Sequence, residues 1–299
     1  MKDKKKNVLI LGATGMLGSE VLRVFHQRNY AIFASLRNKK SAKLFTFNNK
    51  ICFFKFDAGK DDVNILQKFV TANTVIINCI GIIKPKINEM NNVSVLNAIN
   101  INSIFPHQLY NKFSRTNRIY QIATDCVYDG SKGKYDEHSK HNPTDVYGKT
   151  KSLGEVAGKN FFNLRTSIIG KELGNSFSLY EWFLKQKKNS ILNGYTNHLW
   201  NGLTTNAFAN VLISIIENKI IIPNIIHLTP KNIISKFKLL KLFNKCNKQK
   251  NVKINPSISS SKINRTLSTK YKKLLSKIWK QSIYKKTPTL EMLIDKINI

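Results

Sequence analysis

The 299-residue chain carries 49 Lys and Arg against 17 Asp and Glu, a net charge of +32. Its 42% hydrophobic and 10% aromatic content is typical of a globular protein with one large domain or two unequal ones, and it excludes an intrinsically disordered chain. Such a charge suits nucleic acid or an anionic membrane, but lysine is abundant along the whole chain and arginine scarce, which favours ordinary solvated lysines.

The first predicted element is a buried strand at Val8-Leu-Ile-Leu11, a short apolar run that ends at glycine. A Gly-x-x-Gly-x-x-Gly turn and a segment with helical spacing follow. Missing side chains let backbone N–H groups approach a pyrophosphate, and the helix dipole favours its charge. A tight turn without a ligand is the alternative. We favour a dinucleotide site, formed by Gly12, Thr14, Gly15, Met16, Leu17 and Gly18.

A second strand is predicted at Tyr30–Leu36 and leads directly into Arg37. An acidic residue at this point would hold the ribose 2′-hydroxyl of NAD, whereas an arginine suits the 2′-phosphate of NADP. Lys39 and Lys40 lie nearby, and no acid does. NADP(H) is therefore the favoured cofactor. NAD(H) stays open, because a surface arginine is also ordinary in so basic a chain.

Further strands are predicted at 51–56, 74–81 and 118–124, and helical segments near 62–72, 95–114 and 144–158. Regular alternation of strands and helices predicts an α/β fold with a Rossmann-type doubly wound parallel sheet. Ligands of such sheets bind outside the carboxyl ends of the strands. We expect one cleft there, lined by residues at strand ends: Gly12, Arg37, Asp57, Gly81 and Thr124.

Tyr147 and Lys151 lie four residues apart in the last of these helical segments. Residues so spaced share one helix face, so the ammonium of Lys151 can lie close to the phenol of Tyr147. One cation about 4 Å away, at an effective dielectric near 20, contributes about 4 kcal/mol, enough to bring a phenol pKa from about 10 toward 7. The pair could then exchange a proton with an alcohol or ketone. Tyr128 and Lys132 repeat the spacing, but the glycines around them indicate a turn.

Three motifs occur in this order: the glycine turn, Thr124-Asp-Cys-Val-Tyr-Asp-Gly130, and Tyr147-Gly-Lys-Thr-Lys151. Together they resemble the extended short-chain dehydrogenase/reductases, and above all their dTDP-4-dehydrorhamnose reductase branch. The resemblance runs from about Val8 to Asn298. It singles out Tyr147 over Tyr128, because the interval from Thr124 to Tyr147 fits the family.

The resemblance implies roles for individual residues. Thr124 would hold the substrate carbonyl and Tyr147 would donate the proton. Lys151 would bind the nicotinamide ribose and lower the pKa of the tyrosine. Asp57 would approach the adenine, and Asn102 would support the active site. The implied reaction is hydride transfer from NADPH to the carbonyl carbon of a sugar, with protonation of the alkoxide.

Two positions depart from the rhamnose-type pattern: Cys126 replaces a usual aromatic residue and Ile168 a usual tryptophan. Both resemble positions that face the sugar, so Asp125, Cys126 and Ile168 are predicted substrate contacts and the sugar is left open. For Cys126 we favour a small apolar filler over a reactive thiol. Dehydratases of the superfamily tend to have Asp-Glu after the threonine, so Asp125-Cys126 disfavours dehydration.

After Gly170 the alternation loosens, and helices are predicted at 177–188, 205–218, 234–243 and 288–297 with a strand at 225–228. Trp200, in a polar and aromatic loop at 193–202, is a predicted substrate contact, with ordinary packing as the alternative. The predicted domains are residues 1–168 for dinucleotide binding and 169–299 as mainly a substrate-binding lobe. About 203–228 would pack back on the first domain.

The four cysteines form no Cys-x-x-Cys pair and the histidines show no metal-ligand spacing, so no metal is expected and a reducing cytoplasm fits. The basic N-terminus has too short an apolar stretch for a signal peptide, and no later run approaches a membrane span. A nucleotide-sugar is the expected partner, and a homodimer is left open. Neither a membrane nor nucleic acid is expected to bind.

The favoured function is NADPH-dependent reduction of a 4-keto nucleotide-sugar in surface polysaccharide biosynthesis. A related epimerase with tightly bound NAD is one alternative, against which Arg37 argues. A non-catalytic dinucleotide-binding or nucleic-acid-binding protein is the other, against which the intact Tyr147 and Lys151 pair argues.

Overall fold

A computed structural model describes residues 6–47, 51–174 and 176–297. The strands in these ranges are β1 (Lys6–Leu11), β2 (Tyr30–Leu36), β3 (Ile51–Lys55), β4 (Val75–Asn78), β5 (Ile119–Thr124), β6 (Phe161–Thr166), β7 (Ile168–Ile169), β8 (Ile191–Tyr195), β9 (Leu199–Trp200), β10 (Leu203–Thr204), β11 (Ile225–His227), β12 (Ile234–Ser235) and β13 (Lys253–Ser257). The α-helices are α1 (Met16–His26), α2 (Asn92–Ile99), α3 (Phe105–Phe113), α4 (Val146–Leu153), α5 (Leu179–Leu184), α6 (Thr205–Glu217), α7 (Lys236–Cys246), α8 (Lys272–Gln281) and α9 (Leu290–Ile294).

A seven-stranded sheet in the described part of the chain has the order β11-β6-β5-β4-β1-β2-β3. β1 pairs in parallel with both β2 and β4, and the β2–β3 and β4–β5 pairs are parallel as well. Consecutive strands therefore run outward in both directions from β1. This order confirms the predicted Rossmann-type α/β sheet. It also places a topological switch point between β1 and β4, where such sheets bind ligands.

The core of this sheet follows from its apolar runs. Residues Val8–Leu11 of β1 are fully buried, as expected for a parallel strand covered on both faces. α3 buries Phe105, Leu109 and Phe113, spaced by four residues, in one cluster with Leu9 and Ile119 of the sheet. The helical period of these aromatic and aliphatic side chains thus fixes which face of α3 meets the strands.

Several predicted helices differ from the observed ones. The segment at 62–72 forms a 3₁₀ helix, Val63–Phe69, a form common in short helical pieces. The segment at 95–114 is α2 and α3 joined by a π-helical turn, Asn100–Ile104. α4 ends at Leu153 rather than near 158. It stops at Gly154, where a Cβ would lie 1.9 Å from the carbonyl oxygen of Asn102.

The chain divides into two compact units. The first comprises Met1–Val127, Pro143–Leu164 and Ile222–Ile226, and the second Tyr128–Asn142, Arg165–Ile221 and His227–Ile299. The predicted division at residue 168, with 203–228 returning to the first domain, stays a prediction. Its ends at 1–5 and 298–299, and the end of the resemblance at Asn298, lie outside the described residues.

Among the described residues, the second unit contains three short strand pairs. β7–β10 and β8–β13 are parallel and β9–β12 is antiparallel. α6 is buried along nearly its whole length, and α8 buries Leu275, Ile278 and Trp279. β13 and α8 have no counterpart among the predicted elements. No helix within the described ranges is long and apolar enough to cross a membrane.

Candidate active site

The glycine turn between β1 and α1 packs so tightly that side chains would not fit at some of its positions. Gly12 has a φ of +80°, and its N–H donates to Oγ of Ser35 at 2.9 Å. A Cβ on Gly18 would lie 2.1 Å from the carbonyl oxygen of Gly12, so only glycine fits. Gly15 precedes α1, and no described side chain caps that helix. This arrangement fits a dinucleotide pyrophosphate, while the contacts of the turn and of Thr14, Met16 and Leu17 with it stay predictions.

The sheet register brings the predicted strand-end residues to one edge. Leu11 pairs with Asn78, so the turn that begins at Gly12 lies beside the residues that follow β4. Asn78 in turn pairs with Gln121 on β5. Gly81 follows Asn78 by three residues, and Thr124 follows Gln121 by three residues. The carboxyl ends of β1, β4 and β5 therefore present Gly12, Gly81 and Thr124 side by side.

Thr124 and Tyr147 form the centre of this edge. Thr124 is the last residue of β5, and its side chain lies close enough to the phenol of Tyr147 to lower the pKa of that phenol. Its Oγ1 also accepts from the backbone N–H of Cys126 at 3.2 Å. The hydroxyl groups of Thr124 and Tyr147 are therefore neighbours, and a carbonyl oxygen placed between them could accept from both.

α4 fixes the position of Tyr147. Asp145 caps the helix by accepting from the N–H of Gly148 at 2.8 Å, and its other oxygen pairs with Lys84 at 2.9 Å. A Cβ on Gly148 would lie 2.3 Å from the carbonyl oxygen of Cys126. The absence of that Cβ lets the first turn of α4 pack tightly against the segment after β5, which explains how Tyr147 reaches Thr124.

Lys151 lies one turn further along α4, and its side chain is buried with 7% exposure. Its ammonium donates to the carbonyl oxygen of Ile122 at 2.7 Å. It also lies close to Gly81, whose added Cβ would be 3.9 Å from Nζ of Lys151 and 3.3 Å from Oδ1 of Asn102. The structure thus assembles Gly81, Asn102 and Lys151 at one place.

Asn102 links the loop after β4 to α4 through side-chain hydrogen bonds. Its Oδ1 accepts from the N–H of Ile82 at 2.9 Å, and its Nδ2 donates to the carbonyl of Ile82 at 3.0 Å and to Oγ1 of Thr150 at 3.2 Å. The side chain is almost fully buried, so it cannot leave these partners for solvent at low cost. Because Asn102 lies in the π-helical turn, its side chain can reach both the loop after β4 and α4.

The electrostatics of the pair differ from the expectation. Burial raises the pKa of Tyr147 above its ordinary value, and the neighbouring Cys126, Asp125 and Asp145 raise it further, while the hydrogen bond with Thr124 lowers it. Burial also lowers the pKa of Lys151 to about 8. The pKa of the tyrosine is therefore raised in this arrangement and not lowered as predicted, because burial dominates and the ammonium of Lys151 donates to a carbonyl instead.

Two further predicted cofactor residues lie at strand ends. Arg37 follows β2 directly and is exposed. Asp57 lies two residues after β3 and closes a turn, since its Oδ1 accepts from the N–H of Gly59 at 3.0 Å. Its own N–H donates to Oδ2 of Asp61 at 2.7 Å. These observations give the positions of Arg37 and Asp57, while their contacts with a cofactor stay predictions.

The predicted substrate residues fall in both units. Asp125 and Cys126 form a 3₁₀ turn after β5, where Oγ1 of Thr124 and Sγ of Cys126 both face Oδ1 of Asp125. In the second unit, Ile168 is part of β7 and half-buried, while Trp200 is buried and donates from Nε1 to Oγ of Ser167 at 2.9 Å. This bond gives Trp200 a packing role in its own unit, and its role as a substrate contact stays a prediction.

Three residues that lie next to the site were not predicted from the sequence. Ser35 accepts from the N–H of Gly12, and Thr150 accepts from Asn102. Cys79 lies near Lys151, and burial raises the pKa of its thiol to about 12. Ser35 and Cys79 stand at the ends of predicted strands, a signal that the sequence does contain. Thr150 shows no such signal, since its role depends on the packing of α4 against the π-helical turn.

Residues 6–297 match the model of the family described as RmlD substrate binding domain. The chain belongs to that family. This result confirms the resemblance to the dTDP-4-dehydrorhamnose reductase branch of the extended short-chain dehydrogenase/reductases.

Two curated relatives of this RmlD-family chain match it over shorter stretches. A dTDP-4-dehydrorhamnose reductase from Aggregatibacter actinomycetemcomitans is 37% identical over 110 residues, which cover 34% of this chain and 36% of the relative. A methionine adenosyltransferase 2 subunit beta from Danio rerio is 30% identical over 152 residues, 50% of this chain and 42% of the relative. The chain thus matches less than half the length of these curated relatives.

Solved structures match the RmlD-family chain over nearly its whole length. A dTDP-4-dehydrorhamnose reductase from Bacillus anthracis in complex with NADP has a TM-score of 0.70 at 17% identity, covering 98% of this chain and 99% of that one. A UDP-glucuronic acid 4-epimerase from Bacillus cereus in complex with UDP-glucuronic acid and NAD has a TM-score of 0.72 at 18% identity, covering 97% of each chain. At these identities the likeness shows the fold alone.

Proposed function

We propose that this RmlD-family chain is an NAD(P)-dependent oxidoreductase that uses NADPH to reduce the 4-keto group of a nucleotide-sugar, in the biosynthesis of a surface polysaccharide. One observation carries the proposal: the neighbouring side chains of Thr124 and Tyr147, with the buried Lys151 one turn away and Gly81 beside it. Two hydroxyl groups held at one place can both bind a carbonyl oxygen.

The residues of the chain would act as follows. The raised pKa keeps the phenol of Tyr147 protonated at neutral pH, which is the form that donates a proton. Thr124 would contribute a hydrogen bond that strengthens as negative charge builds on the substrate oxygen. Lys151, held by the carbonyl of Ile122, would bind and orient the nicotinamide ribose. The dinucleotide, when bound, supplies the hydride.

The choice of cofactor and substrate rests on separate observations. The glycine turn and the uncapped start of α1 fit a pyrophosphate. Arg37 directly after β2 favours the 2′-phosphate of NADPH over NADH, and NADH stays the alternative. The matched reductase from Aggregatibacter supports a 4-keto nucleotide-sugar as substrate. Cys126 and Ile168 leave the identity of the sugar open.

The test is NADPH oxidation, followed optically, with dTDP-4-keto-6-deoxyglucose and its UDP-linked relatives as substrates. Tyr147→Phe should lower turnover by about 10²-fold or more, because the proton donor is lost. It should bind NADPH as the wild type does. Tyr110→Phe, on α3, is the matched control and should keep full turnover. Near-normal turnover in Tyr147→Phe would refute the assignment of the acid.

A second function is favoured by the match to methionine adenosyltransferase 2 subunit beta, which covers half of this chain. In that case the chain would bind a dinucleotide as the non-catalytic subunit of a larger enzyme. NADPH binding without turnover of any 4-keto nucleotide-sugar, together with co-purification of an unrelated catalytic chain, would support this function over the reductase.

A further inference from the structure

A cavity of about 290 Å³ lies within the second unit, and none of the residues assigned above to the candidate active site lines it. Its wall is built from the segment after β11, the segment before α8 and the first turns of α8. Three of the residues that line it are lysines, and none is acidic: Lys134, Asn201, Thr229, Pro230, Lys231, Asn232, Ile233, Leu267, Ser268, Thr269, Lys272, Leu275, Ser276 and Thr287.

The three lysines come from separate parts of the chain. Lys134 precedes the buried Tyr135, Lys231 follows β11, and Lys272 is the first residue of α8. All three are exposed, and within the described ranges none of them belongs to a recorded ion pair. No described side chain caps the ten-residue α8, so the positive end of its dipole adds to the charge of Lys272. The cavity therefore concentrates positive charge.

Hydrogen bonds hold the backbone of two of these lysines in place. Lys134 has a φ of 51°, and its N–H donates to Oγ1 of Thr266 at 2.9 Å while its carbonyl accepts from Oγ of Ser268 at 2.8 Å. The N–H of Lys231 donates to the carbonyl of Pro288 at 2.8 Å. These positions exist before any ligand binds, so binding would not have to order them.

The uncharged part of the wall is equally fixed. The side-chain amide of Asn201 holds the backbone of Leu267. Its Nδ2 donates to the carbonyl of Leu267 at 2.7 Å, and its Oδ1 accepts from the N–H of Leu267 at 2.9 Å. Nε1 of the buried Trp279 donates to the carbonyl of Thr229 at 3.1 Å, which ties α8 to the segment after β11. The cavity is thus a preformed feature of the second unit, as small-molecule sites usually are.

Two carboxylates, Glu137 and Glu291, are hydrogen-bonded to residues that line the cavity. Glu137 accepts from Oγ1 of Thr269 and from the N–H of Lys270. Glu291 accepts from Nδ2 of Asn232 and pairs with Lys238 at 2.6 Å. Neither carboxylate lines the cavity itself, so the three lysines that do line it keep an excess of positive charge there.

The apolar residues of the wall indicate what kind of anion fits. Pro230, Ile233, Leu267 and Leu275 supply carbon surface next to the lysines. A ligand that uses both kinds of surface has a compact anionic group on an apolar body. Three ammonium groups match a phosphate monoester, with its three free oxygens and nearly two charges, better than a carboxylate with two oxygens and one charge.

We propose that this cavity is a binding site for a small organic phosphate monoester, separate from the dinucleotide site of the first unit. The phosphate would be held by Lys134, Lys231 and Lys272, and the organic group would pack on Pro230, Leu267 and Leu275. A site of this kind would let a phosphorylated metabolite bind at the same time as the proposed cofactor.

The experiment is isothermal titration of phenyl phosphate into the full chain, with and without saturating NADPH. Phenyl phosphate should bind in both cases, more tightly than inorganic phosphate or benzoate, and phenol should not bind measurably. Lys231→Gln and Lys272→Gln should each weaken binding by about three- to tenfold, as expected for one charge-assisted contact. Lys277→Gln, an exposed lysine of α8 that does not line the cavity, should leave it unchanged.

Three outcomes would overturn the proposal. The first is that phenyl phosphate does not bind at all, the second that NADPH displaces it, and the third that Lys277→Gln weakens binding as much as Lys272→Gln. The second outcome would place the phosphate in the dinucleotide site, and the third would reduce the effect to the general charge of the chain. Because the substituted side chains are exposed, unchanged melting temperatures should show that all variants fold.

Discussion

Lys151 combines burial with a positive charge, and this combination makes its protonation part of the folding equilibrium. Burial lowers its pKa from 10.5 to about 8, although Glu155 and Cys79 act in the opposite direction. Between pH 8 and 10.5 the unfolded chain therefore keeps a proton that the folded chain has released. Stability rises with pH in this window, because the unfolded state binds more protons. Below pH 8 both states are protonated, and the cost of the buried charge is fully present.

We expect Lys151→Met to reveal this cost. Relative to the variant, the wild type should gain about 1 kcal/mol in free energy of unfolding between pH 7 and pH 9. Urea unfolding of both proteins at several pH values measures this difference. The range stops at pH 9 because the thiol of Cys79, whose pKa burial raises, adds a dependence of opposite sign above it. A difference that stays constant from pH 7 to pH 9 would show that Lys151 is not desolvated as described.

Among the elements, α4 shows how a short helix can position a reactive side chain. It has only eight residues, too few for intrinsic stability, so its start depends on a cap and on packing. Asp145 supplies the cap to Gly148 and also pairs with the exposed Lys84. The cap is buried with 8% exposure, whereas the lysine stays in solvent, so the cap should contribute more than the ion pair.

Asp145→Ala and Asp145→Asn separate these two contributions. The alanine variant loses both and should lower the free energy of unfolding by about 1 kcal/mol, up to about 2. The asparagine variant keeps an acceptor for the N–H of Gly148 and should lose only a few tenths of a kcal/mol. Urea unfolding at neutral pH distinguishes them. Equal losses in the two variants would mean that the ion pair with Lys84, rather than the cap, stabilises α4.

The elements also show where prediction from the sequence reaches its limit. β1, the glycine turn and α6 were predicted almost to the residue, because apolar runs, glycine spacing and helical periodicity are local signals. α8 was missed even though Leu274, Leu275, Ile278 and Trp279 have helical spacing, since lysines on every other face obscured the pattern. β13 pairs with β8, about sixty residues earlier, and no local signal predicts such a partner.

The same limit applies within the candidate site. The positions of Tyr147, Lys151 and Thr124 follow from motif and spacing, so the sequence predicted their meeting at one edge of the sheet. The direction of the tyrosine pKa could not be predicted, because it depends on burial and on Cys126 and Asp125, which only the folded chain brings close. Helical spacing alone overstates the influence of one cation.

For the whole molecule, the net charge of +32 attracts any anionic nucleotide, whatever its chemistry. This general attraction is weakened by salt, since charges separated by more than about 8 Å are screened at physiological ionic strength. A preference for NADPH over NADH therefore has two sources: the extra charge of the 2′-phosphate in the field of the chain, and a direct contact with Arg37. Only the second depends on one residue.

We expect Arg37→Gln to bind NADPH about tenfold more weakly, the usual contribution of a hydrogen bond to a charged group, while its affinity for NADH stays unchanged. The shift of the melting temperature by each cofactor reports these affinities, because ligands stabilise the native state by mass action. Arg115→Gln removes the same charge from another exposed position and is the matched control. If both variants lose NADPH affinity equally, and only at low salt, the preference comes from the field of the whole chain and Arg37 makes no direct contact.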